Sequence, residues 1–252
     1  MWEIRKRFKD YEQRKVFAGV LDEQTLMTLY KLSNKGVFDV LHGFIKQGKE
    51  SSVVLAENKK SNEFYAVKIH AISAYTFKRI RNYIEGDPRF FKIKHNRRAL
   101  IFAWCKKEFK NLRIAHEKAR IPCPKPVAYM NNVIVMEFLG EVDNEQILPA
   151  PRLCDVELEN PKKVFEKIIE SVKKLYSAGI VHGDLSGYNI LYFNNIPYFI
   201  DFSQGMPVSY ANAFDLLKRD VYNICREFSE YGIESDPEKI IEDVTKGVEN
   251  EV

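Results

Sequence analysis

The stretch that decides the fold is Ile180-Val181-His182-Gly183-Asp184-Leu185-Ser186-Gly187-Tyr188-Asn189-Ile190-Leu191-Tyr192-Phe193-Asn194-Asn195-Ile196-Pro197-Tyr198-Phe199-Ile200-Asp201-Phe202. Ile190 to Phe193 and Ile196 to Ile200 are short β-prone runs, separated only by Asn194 and Asn195. Asparagine tolerates the positive φ that a two-residue hairpin turn demands. If those two residues form the turn, Phe193 faces Ile196, and counting back sets Asn189 opposite Ile200. Asn189 and Asp201 then flank the open end of one hairpin. Asp184 lies in the loop that feeds it. Three oxygen-bearing side chains are thus expected at one mouth.

An amide oxygen and a carboxylate are hard ligands. They suit Mg²⁺, which takes one or two protein oxygens and completes its shell with water and phosphate. A further aspartate beside such an ion can orient a hydroxyl or a water for phosphoryl transfer. The plain alternative is a β-turn in which Asp184 and Asn189 only cap backbone groups. His182 reads as a hydrogen-bonded core histidine rather than a catalyst.

Working outward, Asn160-Pro161 opens a helix, with asparagine as N-cap and proline in the first turn. Val164, Phe165, Ile168, Val172 and Leu175 form its core face, and Gly179 ends it. After Phe202 a second helix is expected from about Ala211 to Tyr231, stopped by Gly232, and a last one from Asp236-Pro237.

Upstream, Val53 to Ala56 and Phe64 to Ile69 read as strands joined by a polar loop. Val37 to Leu41 fits either a strand or a helical turn. Gln47 to Ser52 reads as a turn-rich break before a strand carrying Lys68, the layout of a loop covering phosphates. Gly48 supplies the turn, and backbone N–H groups with the Ser51 and Ser52 hydroxyls can cradle the anion. A plain hairpin turn explains that stretch equally well.

A helix is predicted from Arg98 to about Lys118, with Ile101, Trp104, Cys105, Leu112 and Ala115 on its apolar face. Glu108 shares that face, and its helical neighbours three and four residues away carry no positive charge. An unpaired buried carboxylate costs roughly 3–5 kcal/mol, so Glu108 needs a cation from elsewhere, and Lys68 is the natural candidate. The alternative is a slightly rotated helix with Glu108 in water. Val127 to Tyr129 and Val133 to Phe138 read as strands around Asn131-Asn132. The second runs into a short link where adenine could bond to backbone: Met136 would line the pocket, Glu137 would offer its carbonyl and Leu139 its N–H.

Residues 72–98 differ in texture. Lys78, Arg79, Arg81, Arg89, Lys92, Lys94, Arg97 and Arg98 stand against only Glu85 and Asp87, with Phe77, Tyr83, Phe90 and Phe91 interleaved, and Gly86-Asp87-Pro88 breaks any helix. Basic and aromatic residues on a flexible segment suit RNA, with charges tracking phosphates and rings stacking on bases. An ordinary surface loop is the alternative. At the N-terminus, residues 1 to about 33 read as helical, first a basic segment with Arg5, Lys6, Arg7 and Lys9, then Asp22 to Leu32.

Composition is that of an ordinary globular protein: 252 residues, 45% hydrophobic and 29% charged, with a net charge of +4 too mild to announce nucleic acid by itself. Cys105, Cys123, Cys154 and Cys225 form no C-x-x-C pair and read as free thiols in a reducing, cytoplasmic setting. No apolar run approaches the ~20 residues of a membrane span, and no secretory signal is evident.

Taken together, these residues resemble the RIO atypical protein kinases, most closely their type-one branch, from about Leu21 to Gly232. The resemblance rests on Gly48-Lys49-Glu50-Ser51, Lys68, Glu108 in Lys107-Glu108-Phe109-Lys110-Asn111-Leu112, Met136-Glu137-Phe138, the loop from His182 to Asn189, and Ile200-Asp201-Phe202. It implies an α+β, two-lobed protein-kinase-like fold with a reduced C-terminal lobe. The expected parts are a helical extension (1–35), an N-lobe (36–140) holding an antiparallel sheet, the Glu108 helix and the basic insert 72–98, and a mostly helical C-lobe (141–252). It implies ATP with Mg²⁺ or Mn²⁺ as cofactors. Lys68 and Glu108 would grip the phosphates, Asn189 and Asp201 hold the metal, and Asp184 act as general base. It also implies autophosphorylation on serine, or ATP hydrolysis in which Asp201 becomes phosphorylated. The implied partner is the maturing small ribosomal subunit or its rRNA, reached through 72–98, with neither membrane nor DNA. The family often carries an acidic residue where Gly187 stands, and often reads Thr-Gly-Lys-Glu-Ala where Gln47 and Ser51 flank this loop. Two other readings stay open. One is a small-molecule phosphotransferase of the aminoglycoside or choline kinase type, disfavoured because the C-terminal lobe is short and the extra material is basic. The other is an ATP-switched ribosome-binding scaffold with little turnover.

Overall fold

A computed structural model describes residues 21–73, 80, 96–143 and 146–246. The basic N-terminal segment and most of the basic insert lie outside the described residues. The chain divides into two compact units, Met1–Phe109 with Pro126–Phe138, and Lys110–Lys125 with Leu139–Val252.

The first unit is built on a five-stranded antiparallel sheet of order β1-β2-β3-β5-β4: β1 (Val40–Gln47), β2 (Ser51–Asn58), β3 (Glu63–His70), β4 (Pro126–Met130) and β5 (Val133–Glu137). Of the two forms open to Val37–Leu41, the chain takes a strand, which starts at Val40 and runs on through Phe44 to Gln47. Ser51 and Ser52 already belong to β2, paired with His70 and Ile69, so the break after β1 is shorter than the sequence suggests. Its tightest point is Gly48, whose N–H donates to Ser51 O at 3.0 Å. A Cβ on Gly48 would sit 3.1 Å from that same oxygen. The β4–β5 reversal turns at Asn131, in the left-handed region at φ 54°.

Helix α1 (Glu23–Asn34) starts at Asp22, whose carboxylate accepts the Thr25 N–H at 2.9 Å. Leu29 and Leu32 join Phe38, Val54, Val67 and Val135 in the unit's core. Its buried face is partly polar, with Thr25 and Thr28 meeting the β4–β5 turn. Asn132 donates to Thr25 Oγ1 and to His70 O at 3.0 and 2.9 Å, and Asn131 donates to Thr28 Oγ1 at 2.9 Å. Helix α2 (Arg97–Arg113) opens through Asn96, whose side chain accepts the Ala99 N–H. The regular helix stops at Arg113, and a π-helical turn (Ile114–Ala119) completes the predicted span, ending on Arg120 at φ 52°.

In the second unit, α3 (Pro161–Ser177) begins as the sequence dictates, with Asn160 Oδ1 accepting the Lys163 N–H at 3.1 Å. Gly179 follows its end at φ 89°. Helix α4 (Ala213–Ser229) packs on it, the Phe165 and Phe228 rings lying 5.3 Å apart. Helix α5 (Pro237–Thr245) is capped by Asp236. Six short strands form this unit's small sheets among the described residues: β6 (Gly140–Val142) with β7 (Ile147–Pro149), β8 (Ile180–Val181) with β11 (Met206–Pro207), and, between these in the chain, β9 (Ile190–Phe193) with β10 (Ile196–Phe199). None of the described helices is long and apolar enough to cross a membrane.

Candidate active site

In the first unit, alternation along β3 puts Lys68 on the sheet face that α2 covers. Lys68 Nζ donates to Glu108 Oε1 at 2.7 Å, both residues buried. This settles the orientation of α2: Glu108 faces the protein, not water. Its second oxygen lies 2.8 Å from His70 Nε2, a close approach without hydrogen-bond geometry, to a neighbour the sequence reading overlooked. His70 follows Lys68 by two positions on the strand, so period-two alternation places both on one face. Beside them, burial and the Glu108 carboxylate push the Cys105 thiol well above its usual pKa, partly opposed by Lys68. Ser51 is half-buried, whereas Ser52 is buried. Met136 pairs with Ala66 in mid-sheet, and Glu137 ends β5 exposed to solvent.

In the second unit, Asn194 and Asn195 both take positive φ, 51° and 60°, and close the hairpin in the expected register. The ladder continues one pair beyond β9 and β10, since Ile200 N–H donates to Asn189 O at 2.9 Å. Asp201 is the next residue, itself at φ 61°, a costly conformation for an aspartate. The Asn189 amide donates to Asp184 O at 2.7 Å and lies 3.4 Å from Asp184 Oδ2. Its NH₂ is therefore committed to the loop, and its oxygen is the atom it can offer to a cation. His182 is buried, bonded to Ile200 O at 3.0 Å and packed against Phe199 and Phe202, the core role read from the sequence. Leu139 is buried, and its carbonyl accepts the Ala150 N–H.

Several residues that build this loop were not foreseen. Asp220 on α4 is 1% exposed and accepts N–H bonds from Gly183 at 2.7 Å and Leu185 at 2.8 Å. Burial pushes its pKa up to about 7 against the pull of those two donors. Two helical turns on, Glu227 takes the Gly187 N–H with both oxygens, at 3.0 and 2.7 Å. Burial raises Glu227 as well, opposed by that bond. Arg219 donates to Gly183 O, and Asn223 to Leu185 O. One face of α4 thus clasps the backbone from Gly183 to Gly187. The packing at Gly187 is tight: a Cβ would lie 3.0 Å from Glu227 Oε1 and 3.2 Å from the Cys154 backbone nitrogen, so a larger residue there needs the Glu227 side chain to shift. A signal for Asp220 was available: it sits among Leu217, Val221 and Ile224, a carboxylate on an apolar helix face, as Glu108 is.

Beyond the Asp201 carboxylate, Gln204 donates to Asp184 Oδ2 at 2.7 Å. Among the described residues no cluster of three or more His, Cys, Asp or Glu assembles into a metal cage. The donor set of one amide oxygen and one carboxylate fits a cation that brings water and phosphate as its remaining ligands. Of the basic insert, Ile80 is buried against Ile101 and Trp104, and Arg98 is paired with Asp22 at 3.0 Å. The other basic residues of 74–79 and 81–95 lie outside the described residues.

Residues 52–240 match the RIO domain family. Over 243 residues the chain is 40% identical to the RIO-type serine/threonine-protein kinase Rio1 of Haloferax volcanii, covering 96% of this chain and 82% of that one. It is 42% identical to the Rio1 of Methanocaldococcus jannaschii over 227 residues, 89% of this chain and 75% of the relative. Among solved structures, the Rio2 kinase-ADP/Mg²⁺-phosphoaspartate complex from Chaetomium thermophilum superposes with a TM-score of 0.68 over 93% of this chain and 68% of that one. At 22% identity that likeness speaks for the α+β protein-kinase fold. With archaeal relatives matched across most of their length and the RIO domain spanning both its units, this chain belongs to the RIO family of serine/threonine-protein kinases.

Proposed function

We propose that this chain uses ATP with Mg²⁺ or Mn²⁺ to transfer the γ-phosphoryl group to a serine hydroxyl, including its own, or to water, in the maturation of the small ribosomal subunit in the cytoplasm. The observation that carries the reading is the hairpin register, which sets Asn189 opposite Ile200 and so brings Asp184, Asn189 and Asp201 onto one loop and one strand end. Lys68, held by Glu108, neutralises the α and β phosphates. The half-buried Ser51 and the backbone at Gly48 cover the phosphates, with the buried Ser52 behind them. Met136, Glu137 and Leu139 receive the adenine. Asn189 and Asp201 would hold the divalent ion, which would supply positive charge beside the transferred group. Asp184 orients the acceptor and takes its proton. In the hydrolytic route, an Asp201 oxygen bonds to the γ-phosphorus as the bond to the β–γ bridging oxygen breaks and ADP leaves. Water then cleaves the acyl phosphate and restores the carboxylate. Little covalent work is asked of the protein, and positioning and charge neutralisation supply the rate.

The test is ATP turnover with and without divalent ion, together with reductive trapping of phospho-aspartate. Turnover should require the ion, and the trapped label should map to Asp201. Asp184→Asn should lower turnover by about 100-fold or more, the range of a lost general base, with the fold intact. Parental turnover in Asp184→Asn would remove Asp184 from the mechanism.

A further inference from the structure

We infer that Gln204 is the positioning residue of Asp184: its amide, locked on the turn that follows Asp201, fixes the carboxylate that orients the phosphoryl acceptor. The inference rests on the proposed role of Asp184 and goes beyond it by naming what holds that side chain.

Three observations carry it. Gln204 is 8% exposed, and its Nε2 donates to Asp184 Oδ2 at 2.7 Å. An ionised carboxylate only accepts, so the NH₂ end must face Asp184, since a reversed amide would set two acceptors against each other. That orientation leaves Gln204 Oε1 buried with no hydrogen-bond partner among the described residues. A buried amide acceptor left unmade is a local deficit, tolerated where its donor is needed.

The turn itself is held rigid. Asn111, fully buried, donates to Phe202 O and to Gly205 O, both at 2.9 Å. A Cβ on Gly205 would lie 2.8 Å from the Asn111 amide nitrogen, and only glycine admits that clasp. On the opposite side, Gly183 runs so close to the turn that a Cβ there would meet Gln204 O at 3.0 Å. The residue before Asp184 and the carbonyl of Gln204 are thus in near contact, and both partners of the Gln204–Asp184 bond sit on backbone fixed by other bonds. Without the amide, Asp184 Oδ2 would lose its 2.7 Å bond and keep the longer approach of the Asn189 amide at 3.4 Å, a looser hold on the carboxylate. A misplacement of about 1 Å costs on the order of 100-fold in rate.

The experiment compares Gln204→Met, which keeps length and volume but removes the donor, with Gln204→Asn, which keeps the donor but removes its reach. Each is made in the full chain, alone and on Asp184→Ala, with thermal unfolding as the control for folding. Both single variants should lose about 10–100-fold in kcat, with the KM for ATP within about 3-fold of the parent. On Asp184→Ala neither should cause further loss, because nothing remains to position. Either variant folding normally and keeping kcat within about 2-fold of the parent overturns the inference. So does a loss that adds to that of Asp184→Ala, which would mark a general structural role. If Met at 204 prevents folding, the Asn variant alone decides. Should Asp184→Ala itself leave turnover intact, the proposed role of Asp184 falls and this inference with it. If Asp184→Ala abolishes turnover while the Gln204 variants do not, only the inference falls.

Discussion

Two buried carboxylates show how far single residues could be read. Glu108 was legible because its helix offers it no cation, and a charge on an apolar face must find one. The cation was Lys68, 2.7 Å away, and a second close neighbour, His70, came with it. Removing Lys68 alone leaves Glu108 with His70 only. Lys68→Met should therefore destabilise the fold by about 3 kcal/mol, the lower end for breaking a buried pair. Adding Glu108→Leu should recover most of that, while turnover stays lost in both; urea denaturation measures the first and ATP turnover the second. Asp220 obeys the same logic, and its apolar helix face announces the burial, but its partners are backbone N–H groups, which no residue type in the sequence names. Its folded pKa of about 7 stands above the ordinary 3.8. The stability this group contributes is therefore complete below about 3.8 and is lost as pH rises through 7. Between pH 4 and 8, the stability of the parent relative to Asp220→Asn should fall by roughly 4 kcal/mol. Equal slopes for the two proteins would show that Asp220 titrates normally. Gln204 and Asn111 were illegible for a related reason: a neutral amide within an apolar run announces no need, and only the fold reveals what it bonds.

At the scale of elements, local chemistry decided most of the outcome. Asn160-Pro161, Asp236-Pro237 and the Asn194-Asn195 pair each sit where propensity alone would place them. Errors gathered where propensity is indifferent. Ser51 and Ser52 read as turn but pair as strand, since the sheet supplies partners that a loop sequence does not advertise. The regular part of α2 ends at Arg113, short of the apolar pattern, because the chain changes to a wider turn there. The β9–β10 turn matters most, since it fixes the register that relates Asn189 to Asp201. In the left-handed region an ordinary L-residue is disfavoured by about 1–2 kcal/mol. Replacing Asn194 and Asn195 together by alanine should then cost about 2 kcal/mol in urea unfolding and lower ATP turnover, whereas Asn195→Gly should keep both. Loss of turnover without loss of stability would mean that the register survives and that the turn acts in some other way.

For the whole molecule, the distribution of charge along the chain is the property that bears most on partners. The net charge is +4, yet Lys78, Arg79, Arg81, Arg89, Lys92 and Lys94 crowd a stretch that also holds Phe77, Tyr83, Phe90 and Phe91. Where the fold does reach this insert, it uses it internally: Ile80 enters the core beside Trp104, and Arg98 meets Asp22 at the start of α1. The cations of 74–79 and 81–95 lie outside the described residues, and a phosphate backbone is the partner that such a basic run suits. For a single-stranded RNA, each phosphate neutralised by the protein contributes about 0.7 to the slope of log affinity against log salt. Converting Arg89, Lys92 and Lys94 to glutamine in the full chain should reduce that slope by about 2 between 50 and 200 mM salt, if each meets one phosphate. Phe90→Ala should weaken binding with the slope unchanged, because stacking on a base releases no ions. ATP turnover without RNA should be the same in both variants, since none of the four residues is among those proposed to bind nucleotide, hold the metal or orient the acceptor. Fluorescence anisotropy with a labelled oligonucleotide reads both effects, and a slope indifferent to the three substitutions would remove RNA from the duties of this segment.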